Sequence, residues 1–322
     1  MKKFKPIIIV AGEPNSIFFE LFLKSIKIKK INSPLILIAS EEHLKRQMKY
    51  LNFKKNIRLL NLNNLENYKL NNRSINLVNV NFYQKKPFEK ISKKSKNYIN
   101  KSFEIAFKIL KSKYTNKFIN GPISKKNFLN KKYPGITEYI SKKFDIKNSA
   151  MLIYNKNLSV CPITTHIPIK NITKHIIKKN IYNKAKLIKN FYINKFKINP
   201  KIAVLGLNPH CESTNKFNED DAIIKPAIMY LKNKKFKISG PYPADTLFLK
   251  NNRKKFNVVI GMYHDQVLTP LKTLFEYDAI NITLGLPFIR ISPDHGPNEK
   301  MIGKNKSNPL SLIQAIKFLE KN

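Results

Sequence analysis

The sequence predicts an α/β protein, with largely parallel strands covered by helices on both faces and the chain divided into two such units. Three observations carry this. Short β-branched runs alternate with segments of helical period from the first residues onward. A chain of 322 residues holds about two domains at roughly 150 residues each. A 42% hydrophobic and 11% aromatic content supplies a sizeable core and excludes an intrinsically disordered chain.

Taken in order, Ile7–Val10 reads as a buried strand ending in the turn Gly12-Glu13-Pro14-Asn15, and 16–29 carries helical periodicity. Leu35–Ala39 is a second strand, 41–51 a helix, 57–62 and 75–80 further strands, and 91–111 a long helix. Residues 118–120 form a short strand running into Gly121-Pro122. Ala150–Tyr154 and 158–163 flank Asn155-Lys156-Asn157, a hairpin turn. A helix over 171–195, broken near Asn180, precedes three buried strands at 201–207, 258–262 and 279–284. Helices follow near 220–232 and 310–321. No internal repeat or Pro/Ser-rich linker appears, so the domain boundary falls in short loops. The expected division is 1–125 plus 295–322 for one domain and 126–294 for the other, which carries most of the polar motifs.

The formal net charge is +41, from 61 basic and 20 acidic residues. Counterion release would let such a chain stick to phosphate backbones. The Lys is spread along the whole sequence, however, and no zinc-finger, basic-zipper or RNP-type pattern accompanies it. Lys, Asn, Ile, Phe and Tyr, the residues of A/T-rich codons, are abundant while Trp is absent and Gly is only 9. A solvated basic surface is therefore expected, without a specific nucleic-acid partner. No apolar run is long enough to span a membrane. The basic start before Ile7 imitates a signal peptide, but its apolar run is short and no small-residue cleavage site follows. Two cysteines cannot make a disulfide framework, so a reduced, cytoplasmic setting is expected.

Open α/β sheets bind ligands beyond the carboxyl ends of their strands, and polar clusters fall at those positions. His166 ends one such run, His210 ends Gly206-Leu207-Asn208-Pro209-His210, and His264 follows Met262-Tyr263. A single histidine after a strand is ordinarily a hydrogen-bonded loop residue. Half of the 6 histidines in this one setting put a divalent metal held by three imidazoles beside that plain reading. Asp245 and Asp265 are candidates to orient the histidines or to act in catalysis, with a helix cap as the alternative for each. No Gly-x-Gly-x-x-Gly fingerprint is present.

Several motifs in order carry a resemblance. They are Asn120-Gly121-Pro122-Ile123-Ser124-Lys125, Thr165-His166-Ile167-Pro168, Gly206 to His210, and Gly240-Pro241-Tyr242-Pro243-Ala244-Asp245-Thr246. Met262-Tyr263-His264-Asp265-Gln266, the stretch from Asn281 to Arg290 and Asp294-His295-Gly296 complete the series. Together they are similar to the 4-hydroxythreonine-4-phosphate dehydrogenases of the vitamin B6 pathway, over nearly the whole chain. The resemblance implies two α/β/α domains with a cleft between them, like the isocitrate and isopropylmalate dehydrogenases. It also implies a homodimer with shared active sites. His166, His210 and His264 match the family's metal ligands, drawn from both subunits, and the ion would be zinc, magnesium or cobalt. Thr137, Lys272, Asn281 and Arg290 match its substrate-binding positions. NAD, or NADP, would lie near His295 and Gly296. The implied reaction is oxidation of 4-phosphooxy-L-threonine, then loss of carbon dioxide to give 3-amino-2-oxopropyl phosphate.

The residue chemistry suits such a reaction, because a metal on the alcohol oxygen acts as a Lewis acid and Lys or Arg holds phosphate or carboxylate. The pattern departs from the family at Ile136, where a substrate-contacting histidine is usual. Losing one hydrogen bond to a charged group costs about 1.5–3 kcal/mol, or roughly 10–150-fold in affinity. Residues 211–215 and 297–303 also differ from the family pattern. Two other readings stay open: a paralogous dehydrogenase of another four-carbon hydroxy-acid phosphate, and a decayed enzyme acting as a basic binding protein.

Overall fold

A computed structural model describes residues 4–28, 30–129, 133, 135–214, 217–293 and 296–321. The chain folds as two units, one of residues 1–136 with 287–322 and the other of residues 137–286. Both are α/β.

In the first unit the strands are β1 (Ile7–Val10), β2 (Leu35–Ala39), β3 (Ile57–Leu59), β4 (Ile75–Asn79) and β5 (Lys117–Asn120); in chain order β6 to β11 belong to the second unit, and β12 (Ile289–Pro293) returns to the first. Their order is β3-β4-β2-β1-β5-β12, every pair parallel, with Ile9 opposite both Leu37 and Ile119. Every residue of β1 and β2 is buried, the signature of a parallel strand covered on both faces. Helix Lys96–Lys111 packs on β1 and β2, while Leu310–Glu320 packs on β12 and on Phe18–Ile28.

The turn after β1 is made by Gly12, at φ +79°, whose Cβ would fall 2.3 Å from the Pro122 carbonyl oxygen; only glycine allows both. Helix Glu41–Tyr50, capped by Ser40, grips this turn from below, as His43 Nε2 and Gln47 Nε2 both lie 3.1 Å from the Pro14 oxygen. Burial holds the His43 imidazole below its ordinary pKa.

The second unit contains β6 (Ala150–Tyr154), β7 (Ser159–Pro162), β8 (Ile202–Leu205), β9 (Ile238–Tyr242), β10 (Val258–Gly261) and β11 (Ile280–Leu284). The expected hairpin joins β6 to β7, Ile153 facing Val160, and β11 pairs antiparallel with β6. Beyond β7 the order is β7-β10-β8-β9, all parallel. Val160, Ala203, Leu205, Val259, Val267 and Leu271 form the heart of this unit's core. No helix among the described residues is long and apolar enough to cross a membrane.

The predicted helix over 171–195 is one helix only from Lys178 to Phe196, preceded by two short 3-10 turns. Strands β9 and β12 and helices Ile136–Lys143 and His264–Phe275 had no counterpart among the predicted elements. Proline and glycine interrupt β9, and Pro270 sits inside His264–Phe275, which masks their periodicity.

Candidate active site

The strand order of the second unit brings the three histidines to one edge. His166 follows β7, His264 follows β10 and His210 follows β8, three neighbours in the parallel order β7-β10-β8. The side chains therefore leave the carboxyl ends of adjacent strands, about 4.8 Å apart, the place where α/β sheets take ligands.

The His166 and His264 ring centres are 6.0 Å apart. Two imidazoles on one tetrahedral ion at 2.0–2.1 Å from each nitrogen would place their ring centres about 5 Å apart, so the two rings are near neighbours standing slightly wider than a shared ion would hold them. His264 Nδ1 lies 2.6 Å from Asp265 Oδ1. A carboxylate there favours the Nδ1–H tautomer and leaves Nε2 with its lone pair available. Among the described residues no group of three or more His, Cys, Asp and Glu side chains comes together as a metal cluster. His210 is exposed, at φ +55°, followed by Cys211 at φ +63°. Two successive left-handed residues that are not glycine cost about 1–2 kcal/mol each, so something must hold them.

Asp220 and its neighbours provide that hold. Its fully buried carboxylate accepts the Leu207 and Asn208 backbone N–H groups at 2.9 and 3.0 Å and the Asn208 side-chain amide at 2.9 Å. A Cβ on Gly206 would meet Cys211 Sγ at 2.6 Å and Asp220 Oδ1 at 2.7 Å; the loop closes only around glycine. Cys211 is buried in this packing, and burial raises its thiol pKa. Gln266 ties neighbouring strand ends together, accepting from Met262 N and donating to the Gly206 oxygen, both at 2.7 Å. Thr164 Oγ1 donates to the Met262 oxygen at 2.8 Å.

Asp245 is exposed and accepts the Thr246 N–H at 2.8 Å, in the short helix Ala244–Leu247. Ile136 and Thr137 open helix Ile136–Lys143 and are half-buried. Lys272 is exposed, eight residues along the helix from His264, which is about 12 Å at 1.5 Å per residue. Asn281, in β11, has a buried Oδ1 without a hydrogen-bond partner among the described residues. In the first unit Arg290 is wholly buried and its Nε donates to Asn120 Oδ1 at 2.7 Å. Gly296 is exposed, with open space where a Cβ would stand, whereas His295 lies outside the described residues. Sequence reasoning missed Asp220 as a support because its loop partners lie 12 and 13 residues upstream and no periodicity marks them.

The family model described as pyridoxal phosphate biosynthetic protein PdxA matches residues 30–319. The 4-hydroxythreonine-4-phosphate dehydrogenase of Sulfurihydrogenibium sp. (strain YO3AOP1) is 37% identical over 316 residues, 96% of each chain. The crystal structure of 4-hydroxythreonine-4-phosphate dehydrogenase from Klebsiella pneumoniae superposes with a TM-score of 0.85 at 25% identity, covering 99% of each chain. The corresponding structure from Burkholderia phymatum gives 0.77 at 25% identity, covering 99% of this chain and 98% of that one. Sequence and fold agree over nearly the full length, and the chain belongs to the pyridoxal phosphate biosynthetic protein PdxA family.

Proposed function

We propose that the chain is a metal- and NAD-dependent dehydrogenase that oxidises 4-phosphooxy-L-threonine, with decarboxylation to 3-amino-2-oxopropyl phosphate. The observation that carries this reading is the set of three histidines after three adjacent parallel strands, with the His166 and His264 rings as neighbours 6.0 Å apart. In this reading the ligands come from two copies of the chain in a homodimer. NADP is the alternative cofactor, and zinc, magnesium or cobalt suits the imidazoles.

When bound, the ion supplies Lewis-acid polarisation of the substrate oxygens, and the nicotinamide accepts the hydride. The chain's own groups do the rest. Asp265 holds the His264 tautomer. Asn281 Oδ1, a buried acceptor, suits the substrate ammonium. Lys272 reaches an anion from the exposed helix face, Arg290 adds buried positive charge, and Thr137 offers a hydroxyl donor. The open backbone at Gly296 leaves room for the cofactor, and His295 is its proposed neighbour. The domain assignment of 126–294 as the unit carrying most of the metal and substrate motifs belongs to the same reading. The two cysteines are free and buried, in keeping with a reduced cytoplasmic setting.

Ile136 favours a second reading, a dehydrogenase of another four-carbon hydroxy-acid phosphate, because an alkyl side chain offers no hydrogen bond where the family has an imidazole. NADH formation followed by absorbance, with 4-phosphooxy-L-threonine, NAD and a divalent ion, tests the first reading. Turnover by the wild type that His210→Ala loses supports it. No turnover by folded, metal-loaded protein sinks it, and a panel of related phosphates then tests the second.

A further inference from the structure

In the first unit β4, β2 and β1 are parallel neighbours, and a cavity of about 440 Å³ opens between the segments that follow β1 and β4. Buried polar side chains form its floor, beneath exposed lysines at its rim. Asn15 and Gln84 form a reciprocal amide pair, Nδ2 to Oε1 at 3.0 Å and Nε2 to Oδ1 at 2.9 Å, and Asn15 Oδ1 also accepts the Glu89 N–H at 2.8 Å. Ser95 Oγ donates to Glu13 Oε2 at 2.9 Å. Asn15, Gln84, Ser95 and Glu13 are each less than a tenth exposed. The frame is therefore fixed before any ligand arrives.

Three lysines stand on this frame. Lys85, Lys86 and Lys94 line the cavity with one carboxylate, Glu89, and no hydrogen bond or ion pair engages the three ammonium groups among the described residues. Ser95 is also the N-cap of the 16-residue helix Lys96–Lys111, whose positive dipole end adds to the field. Ammonium groups act as point charges on phosphate oxygens. Within the floor, burial pushes the Glu13 carboxyl up to about 7, so it opposes an incoming anion less than an ordinary carboxylate would.

We propose that this cavity binds the phosphate of a small phosphate-bearing ligand, with Lys85, Lys86 and Lys94 on the phosphate oxygens and the Asn15–Gln84 pair holding their segment in place. The choice of ligand, a dinucleotide cofactor or a phosphorylated hydroxy acid, rests on the function proposed above; the cavity does not.

Calorimetric titration of the full-length protein with inorganic phosphate, NADH and 4-phosphooxy-L-threonine tests this. The triple variant Lys85→Ala, Lys86→Ala, Lys94→Ala is compared with Lys250→Ala, Lys254→Ala, Lys255→Ala, which removes equal charge from exposed positions of the other unit. The cavity variant should weaken inorganic phosphate and one of the two organic ligands by about tenfold, and the control should not; the affected ligand names the source. Equal weakening by both variants, no weakening by the cavity variant, or no binding to the wild type overturns the proposal. Selective phosphate binding without NADH formation keeps it and sinks the dehydrogenase reading.

Discussion

Two loop clusters sit at carboxyl ends of parallel strands, and they are built in opposite ways. After β1, the polar groups are buried and bonded to one another: Glu13 to Ser95, Asn15 to Gln84, and Pro14 to His43 and Gln47. After β8 and β10, His210 is exposed, His264 is half-exposed, and the bonding lies underneath them, in Asp220 and Gln266. The first cluster is a rigid wall, and its chemistry follows from desolvation. The second presents imidazoles at its surface, and their placement follows from the supports beneath them. Substitutions should therefore act through different quantities in the two places.

The largest effect is expected under His210. Asp220→Ala leaves the Leu207 and Asn208 backbone donors without their carboxylate, at a cost of about 4 kcal/mol for part-buried donors that lose a charged acceptor. Chemical denaturation should register that loss, and calorimetry should show divalent-ion affinity lower by about 10–100-fold, as for other residues that orient ligands. Unchanged ion affinity in the folded variant would erase the contrast between the two clusters.

The next effect is a pH dependence in the wall. Glu13 titrates near 7 in the folded protein against an ordinary value of 4.5, because burial outweighs the hydrogen bonds from Ser95 and Asn15, and Glu299 adds repulsion. The folded state thus keeps a proton that the unfolded chain releases. The sign follows: this contribution to stability is intact below about 4.5, falls as pH rises to about 7, and is constant above that. Glu13→Gln should abolish this slope and lie above the wild type by about 3 kcal/mol at pH 8, relative to their difference at pH 4. Parallel stability curves for the two proteins would show that Glu13 does not carry the slope.

The smallest effect concerns Ile136. Restoring histidine there should lower the KM for 4-phosphooxy-L-threonine by about tenfold, the value of one hydrogen bond to a charged group. A rise in KM instead would mark the position as adapted to another acid.

Much of the fold was legible in the sequence because buried parallel strands are short apolar runs, as in Ile7–Val10 and Val258–Gly261. The position of the histidines after strands was legible for the same reason. That their strands are neighbours was not, since it depends on β10 lying between β7 and β8, an order that no local pattern encodes. Arg290 was marked by the family resemblance, and its complete burial was not legible, because no local pattern separates it from the many exposed basic residues of this chain. Asp220 lies in a helical run of ordinary appearance, and only the tertiary structure shows what its carboxylate supports.

The chain path also bears on biosynthesis. The second unit is one continuous segment, whereas the first includes residues from both sides of it. β5 waits for β12, and Phe18–Ile28 for Leu310–Glu320. On the ribosome the second unit can therefore close while the first still exposes an open strand edge and an uncovered helix. That interval of nascent-chain vulnerability falls on the half of the protein translated first.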